Sequence, residues 1–283
     1  MIKMGENMKS IFEIENRLNI QVEFEKMFNE FQVNSTAVMY REDNNEFFEN
    51  GTLVNAIDSV IFLKWKYRDT FLSVDEYLEH LGIPIEIFYK YGPGNIGNEY
   101  FLYYIEFWGN MQLLIREKGE HVIELSPKIE ALFHNMKLIL EKMNYKFSNQ
   151  EDRIIITKRC VDVDATLNMV SKDISQRILE YYDFRIEKNI YEKRKILKDI
   201  DLYIENNIDA KSLDREADGT IGVIVNKMGI NHPIKEEKYK NLSDEELLKW
   251  YDKCFLLMLY IIRKKEVKSI NEERKNLDKD NII

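Results

Sequence analysis

Four histidines in 283 residues leave few places for proton-transfer chemistry. One of them, His232, lies in the stretch VIVNKMGINHPIKEE, Val223 to Glu237, among Asn226, Lys227, Asn231 and Lys235, with Lys238 just beyond. An imidazole takes up and returns protons near neutral pH, and cations beside it can offset charge developing on a phosphate. The same residues have a structural use. Gly229 suits the position after a helix end, where Asn226, Asn231 and His232 could satisfy backbone groups.

Other candidates are thinner. REKGEH, Arg116 to His121, sets a cation and an imidazole within about a turn, which could serve acid–base work on phosphate, but Gly119 takes the chain out of a helix between them and it reads as a charged loop. GPGNIG, Gly92 to Gly97, has the glycine spacing of a pyrophosphate-binding turn before a helix. It lacks a surrounding βαβ unit, and Pro93 removes one of the amides such a loop would use, so it reads as a helix connector. Cys160 has Lys158 and Arg159 beside it, which could lower a thiol pKa, yet no base accompanies it. Asp162 and Asp164 suit the first turn of the following helix. His134 reads as half-buried on a helix and His80 as the exposed end of another. There is no H-E-x-x-H, no Cys/His cluster, no phosphate-loop lysine and no G-x-S-x-G elbow. No metal and no cofactor are expected.

These residues need elements to hold them, and the signals for helix dominate. Only 4 prolines and 11 glycines punctuate the chain, while 45% of it is hydrophobic. Ser73 with Glu76, and Ser243 with Glu246, have capping-box spacing; Ser126 followed by Pro127 marks another helix start. The segment 98–118 is apolar on most sides and reads as a central buried helix. Leu167, Val170, Ile174, Ile178 and Tyr181 form one stripe; Ile190, Leu197, Ile200 and Ile204 form another. A last long helix starts at LSDEELLKWYDKC, with Leu248, Tyr251, Phe255, Met258 and Ile262 as its stripe, and after Arg263 the charged sequence predicts fraying. YKFSNQEDRIIITK reads as one hairpin, residues 145–147 with 154–157 around an SNQED turn. The fold class is therefore mainly α: helical bundle lobes with one small inserted β-hairpin. The expected organisation is an acidic N-terminal helical lobe (1–144), a hairpin junction (145–160), a C-terminal helical lobe (161–265) and a charged tail (266–283).

The aromatics fall on apolar helical stripes and read as core. Residues 1–100 hold 9 Lys and Arg against 17 Asp and Glu, a poor surface for nucleic acid. The two cysteines make no disulfide framework, and no apolar run resembles a signal peptide or reaches the ~20 residues of a membrane span. The expected setting is cytoplasmic, without membrane association.

VNKMGINHP, after an amphipathic helical run and before a loop and a long C-terminal helix, resembles the signature of HEPN domains. It is also similar in kind to the C-terminal domains of some abortive-infection proteins. That resemblance implies an all-helical fold, often dimeric, found in toxin–antitoxin and phage-defence systems. Some members are metal-independent RNases, and others are noncatalytic RNA-binding or interaction modules. The family motif pairs an Arg, followed by a polar residue, with a His four to six residues on. His232 matches the His and Asn226 the polar residue, but Val225 stands where the Arg belongs. Lys227, Lys235 or Lys238 could approach from nearby, without the guanidinium's bidentate fork. The resemblance thus implies His232, Asn226 and Lys227 as the catalytic set, with Lys235, Lys238 and Asn231 as binding residues. The function to be expected is binding of RNA or a protein partner, with a homodimer among the assemblies and catalysis compromised at Val225. The alternative is a noncatalytic helical interaction or sensor protein with no nucleic-acid role. A third reading keeps an active RNase, with a lysine replacing the Arg.

Overall fold

The computed structural model describes residues 18–33, 38–40, 52–58, 62–80, 96–119 and 123–280. Residues 92–95 of the glycine-rich turn, and His121, lie outside them. The chain is mainly α with one small inserted hairpin. It divides into two compact units, Met1–Ile154 and Ile155–Ile283, the division falling within the 145–160 segment.

The first unit contains α1 (Ile20–Phe28), β1 (Val38–Tyr40), α2 (Leu53–Ala56), α3 (Val74–His80), α4 (Asn98–Leu114), β2 (Ile123–Leu125), α5 (Pro127–Lys142) and β3 (Tyr145–Gln150). Its core is aromatic: Phe31 lies 4.4 Å from Trp108 and 5.1 Å from Phe133 between ring centroids, and Phe24 lies 4.9 Å from Tyr104. α4 buries residues on every side from Phe101 to Met111, as its all-round apolar sequence requires. It then widens into a π-helical turn over Ile115–Gly119. Ser126 caps α5, its hydroxyl accepting from Ile129 N at 3.4 Å, with Pro127 next. The Ser73 hydroxyl accepts from Glu76 N at 3.2 Å, while the Glu76 carboxylate reaches Leu72 N at 2.9 Å rather than the amide of Ser73.

Three sequence expectations change here. The hairpin strands are longer than expected, β3 running through Gln150 to meet β4 (Arg153–Lys158), so the turn shrinks to Glu151 and Asp152. Glu151 takes a φ of 54° there. A second short pair joins distant segments: β1 runs antiparallel to β2, with Val38 opposite Leu125 and Tyr40 opposite Ile123. His134 is exposed on α5, not half-buried.

The second unit begins with residues 155–158 of β4 and continues with α6 (Val161–Leu167), α7 (Lys172–Tyr181), α8 (Ile190–Asn207), α9 (Ala210–Leu213), α10 (Arg215–Lys227), α11 (Glu237–Lys240) and α12 (Asp244–Asp280). The stripe expected from Leu167 to Tyr181 is broken between α6 and α7, and Ser171 becomes the N-cap of α7. α12 packs on α8 and α10, around Leu197, Ile200, Ile224, Tyr251, Phe255 and Met258. Tyr181 stacks on Phe255 with centroids 4.0 Å apart. Lys193 is 4% exposed, and Asp252 neutralises it: Nζ donates to Oδ1 at 2.6 Å, and the Tyr181 hydroxyl donates to the same oxygen at 3.0 Å. A buried ammonium persists only with such a partner.

The capping box at Ser243 is complete. Glu246 N donates to the Ser243 hydroxyl at 3.3 Å, and the Glu246 carboxylate accepts from Ser243 N at 2.8 Å. The fraying expected after Arg263 does not occur, for α12 is helical to Asp280. Arg263 to Asp162 at 2.7 Å and Lys264 to Asp214 at 2.8 Å anchor its exit from the core. Beyond them Lys, Glu and Arg sustain the helix through backbone propensity.

Candidate functional site

The region around His232 is built on the end of α10. Asp214 is the N-cap, accepting from Ala217 N at 3.1 Å, and Lys264 with Tyr260 holds its carboxyl far below the usual carboxylate range. α10 then turns Ala217, Ile221, Ile224 and Val225 to the core. It ends at Met228, and Gly229 follows with a φ of 90°, a left-handed closure that suits glycine. The Gly229 expected from sequence as the residue after the helix end is in that position.

Each candidate side chain can now be placed. Val225 is 1% exposed and belongs to the core stripe. His232 lies in the loop beyond and is exposed, with no hydrogen bond among the described residues. The two motif positions thus face different surroundings. Asn226 donates from Nδ2 to the Gly222 carbonyl of its own helix at 3.0 Å. Asn231 donates from Nδ2 to Asp201 at 3.2 Å and from its backbone N to the Val225 carbonyl at 3.0 Å. Only the backbone amide of Asn231 closes the helix end; its side chain ties the loop to α8, and the Asn226 side chain bonds within α10. Burial pushes the Asp201 carboxyl up, and the Asn231 bond only partly offsets this.

The lysines are not gathered as a cationic cradle. Lys227 pairs with Glu236 at 2.8 Å, and Lys238 pairs with the same carboxylate at 3.4 Å. The Lys227 bond, with Lys238, holds the Glu236 carboxyl below its ordinary value. Lys235 is exposed and has no ion-pair partner among the described residues.

Sequence reasoning missed the guanidinium that does come near. Arg194, from α8, donates from Nε to the Tyr251 hydroxyl at 2.7 Å, and that hydroxyl donates to the Met228 carbonyl at 2.7 Å. A Cβ at Gly229 would lie 3.2 Å from Arg194 Nη2. Arg194 therefore braces the root of the His232 loop. No signal near the motif could reveal it, because a distant helix supplies it.

Beside the outer edge of α10 opens a cavity of about 700 Å³ bounded by the ends of α8, α9 and α10. Asp201, Glu205, Asp209 and Asp218 line it against a single cation, Lys211, with Val225 and Asn226 at its wall. Such a lining repels a polyanion. Among the described residues no group of three or more His, Cys, Asp or Glu could hold a metal ion, and no helix is long and apolar enough to cross a membrane. Comparison with protein-family models, curated proteins and solved structures returned no match to this chain.

Proposed function

We propose that residues 155–283 form a HEPN-like helical module, of the phage-defence or toxin–antitoxin kind, that binds a protein partner and does not cut RNA. The observation that carries the noncatalytic reading is the split of the motif. Val225, in the Arg position, lies in the core at 1% exposure, whereas His232 faces solvent. The Arg position thus offers no charge to a transferring phosphate, Lys227 and Lys238 share Glu236, and Arg194 is bonded to the Tyr251 hydroxyl. The acidic cavity on α10 and the pairing of two lysines with Glu236 argue against RNA as the partner.

The partner in this reading is a second copy of the chain, met along the exposed face of α12. Leu256, Tyr260, Val267 and Ile270 recur at 4, 7 and 3 residues and are each more than a third exposed, at 38, 37, 57 and 56%. That is the spacing of a coiled-coil seam. An antiparallel pair centred near Arg263 would set Leu256 of one copy against Ile270 of the other, and Tyr260 against Val267.

Light scattering across a concentration series tests this. The expected mass is twice the 34.0 kDa of one chain, falling to one chain in Val267→Glu. A single-chain mass for the wild type throughout would overturn the self-association. Tight, salt-sensitive binding of single-stranded RNA by the wild type would replace the protein partner with RNA.

A further inference from the structure

In the first unit a cleft of about 420 Å³ opens between α4, α5 and β3. We propose that it binds a nucleoside monophosphate, a phosphate monoester carried on a planar ring. This inference concerns residues 1–154 and does not depend on the reading of the C-terminal unit.

Three cations from three elements line the cleft: Arg116 from the π-helical turn that ends α4, Lys137 from α5 and Lys146 from β3. Glu141 is the one carboxylate among its lining residues, leaving a balance that suits the roughly two negative charges of a phosphate monoester at neutral pH. Arg116 and Lys137 have no ion-pair partner among the described residues, and both are exposed. Arg116 belongs to the REKGEH stretch, which the sequence alone reads as a charged loop. The concentration of cations is local: residues 1–154 carry 16 Lys and Arg against 25 Asp and Glu. A basic cleft on an acidic unit focuses an anion to one place.

The other wall suits a ring. Phe147 is half-buried, and its Cε1 edge sits so close to Gly109 that a Cβ there would approach it to 2.8 Å. The glycine is what lets the phenyl ring settle against α4. Leu113 and Ile154 extend the apolar surface, while Gln112 and Asn149 bring amides able to bond the edge of a base. The Ile154 side of the cleft is fixed. The buried Asn110 donates from Nδ2 to the Ile154 carbonyl and accepts from Ile154 N through Oδ1, both at 2.8 Å. A wall held by two such bonds is organised before a ligand arrives. The volume lies within the range of small-ligand pockets, about 300–1,000 Å³.

The test is calorimetric titration of the full chain with AMP, GMP, CMP and UMP, with adenosine and inorganic phosphate as part-ligand probes. At least one monophosphate is expected to bind one site per chain. Adenosine and inorganic phosphate are each expected to bind at least about ten-fold more weakly than the best nucleotide, and Arg116→Ala/Lys137→Ala should weaken that nucleotide by a similar factor. Both substituted residues are exposed, so the double variant should keep the wild-type circular dichroism spectrum. Failure of all four nucleotides to bind, equal binding by adenosine, or equal binding by the double variant would each overturn the assignment.

Discussion

Replacing Tyr251 with Phe removes one oxygen and leaves the ring. That oxygen links the Arg194 guanidinium to the carbonyl that ends α10: it accepts from Nε at 2.7 Å and donates to the Met228 carbonyl at 2.7 Å. Tyr251 is 0% exposed, so water does not replace the bond to the carbonyl without opening the site. A neutral bond of this kind contributes about 1 kcal/mol and one to a charged group about 1.5–3 kcal/mol. Arg194 is half-exposed and recovers part of its loss in solvent, so the combined effect should be about 2.5 kcal/mol. The cost falls on the turn that leads to His232, whose last bond runs from Asn231 N to the Val225 carbonyl. Hydrogen exchange read by mass spectrometry over residues 228–235 should therefore accelerate roughly seventy-fold. Peptides from α5, in the other unit, should exchange as in the wild type. Exchange in 228–235 within about threefold of the wild type would show that the Arg194–Tyr251 brace does not hold this loop.

Two further outcomes follow from buried groups of the second unit. Burial raises the Asp201 carboxyl in the folded state, so folding loses stability as pH rises from the unfolded value, about 3.9, through the folded one. Asp201→Asn escapes that loss. In urea unfolding it should gain on the wild type at pH 7 and lose the gain below about pH 3.9; a variant less stable than the wild type at pH 7 would refute the assignment. Cys254 is 0% exposed and burial pushes its thiol up to about 12, whereas Cys160 is half-exposed. A disulfide reagent at pH 8 should label one thiol of the native protein quickly and the second only on unfolding, and rapid labelling of both would contradict the packing of α12.

Much of the helical framework was legible because its signals are local. Ser126 with Pro127, Ser243 with Glu246 and Gly229 each act within one turn of the helix end they mark. The buried character of α4 was legible because no face of it is polar. What escaped was set by contacts between distant segments. The pairing of residues 38–40 with 123–125 leaves no short-range trace. The helical tail to Asp280 escaped because a charged sequence reads as fraying, although Lys, Glu and Arg have good helix propensity. At the candidate site, Val225 was legible as a departure from the Arg-and-His pattern, but its place in the core depended on how α10 packs. The bond of Asn231 to Asp201 and the approach of Arg194 from α8 likewise depend on tertiary structure.

In the proposed reading His232 cannot cleave RNA, because the Arg position beside it is the buried Val225. Incubating total RNA with the wild-type chain and with His232→Ala, then comparing the fragments on a denaturing gel, tests it most directly. Intact RNA is expected with both proteins. Cleavage by the wild type that is lost in His232→Ala would contradict it.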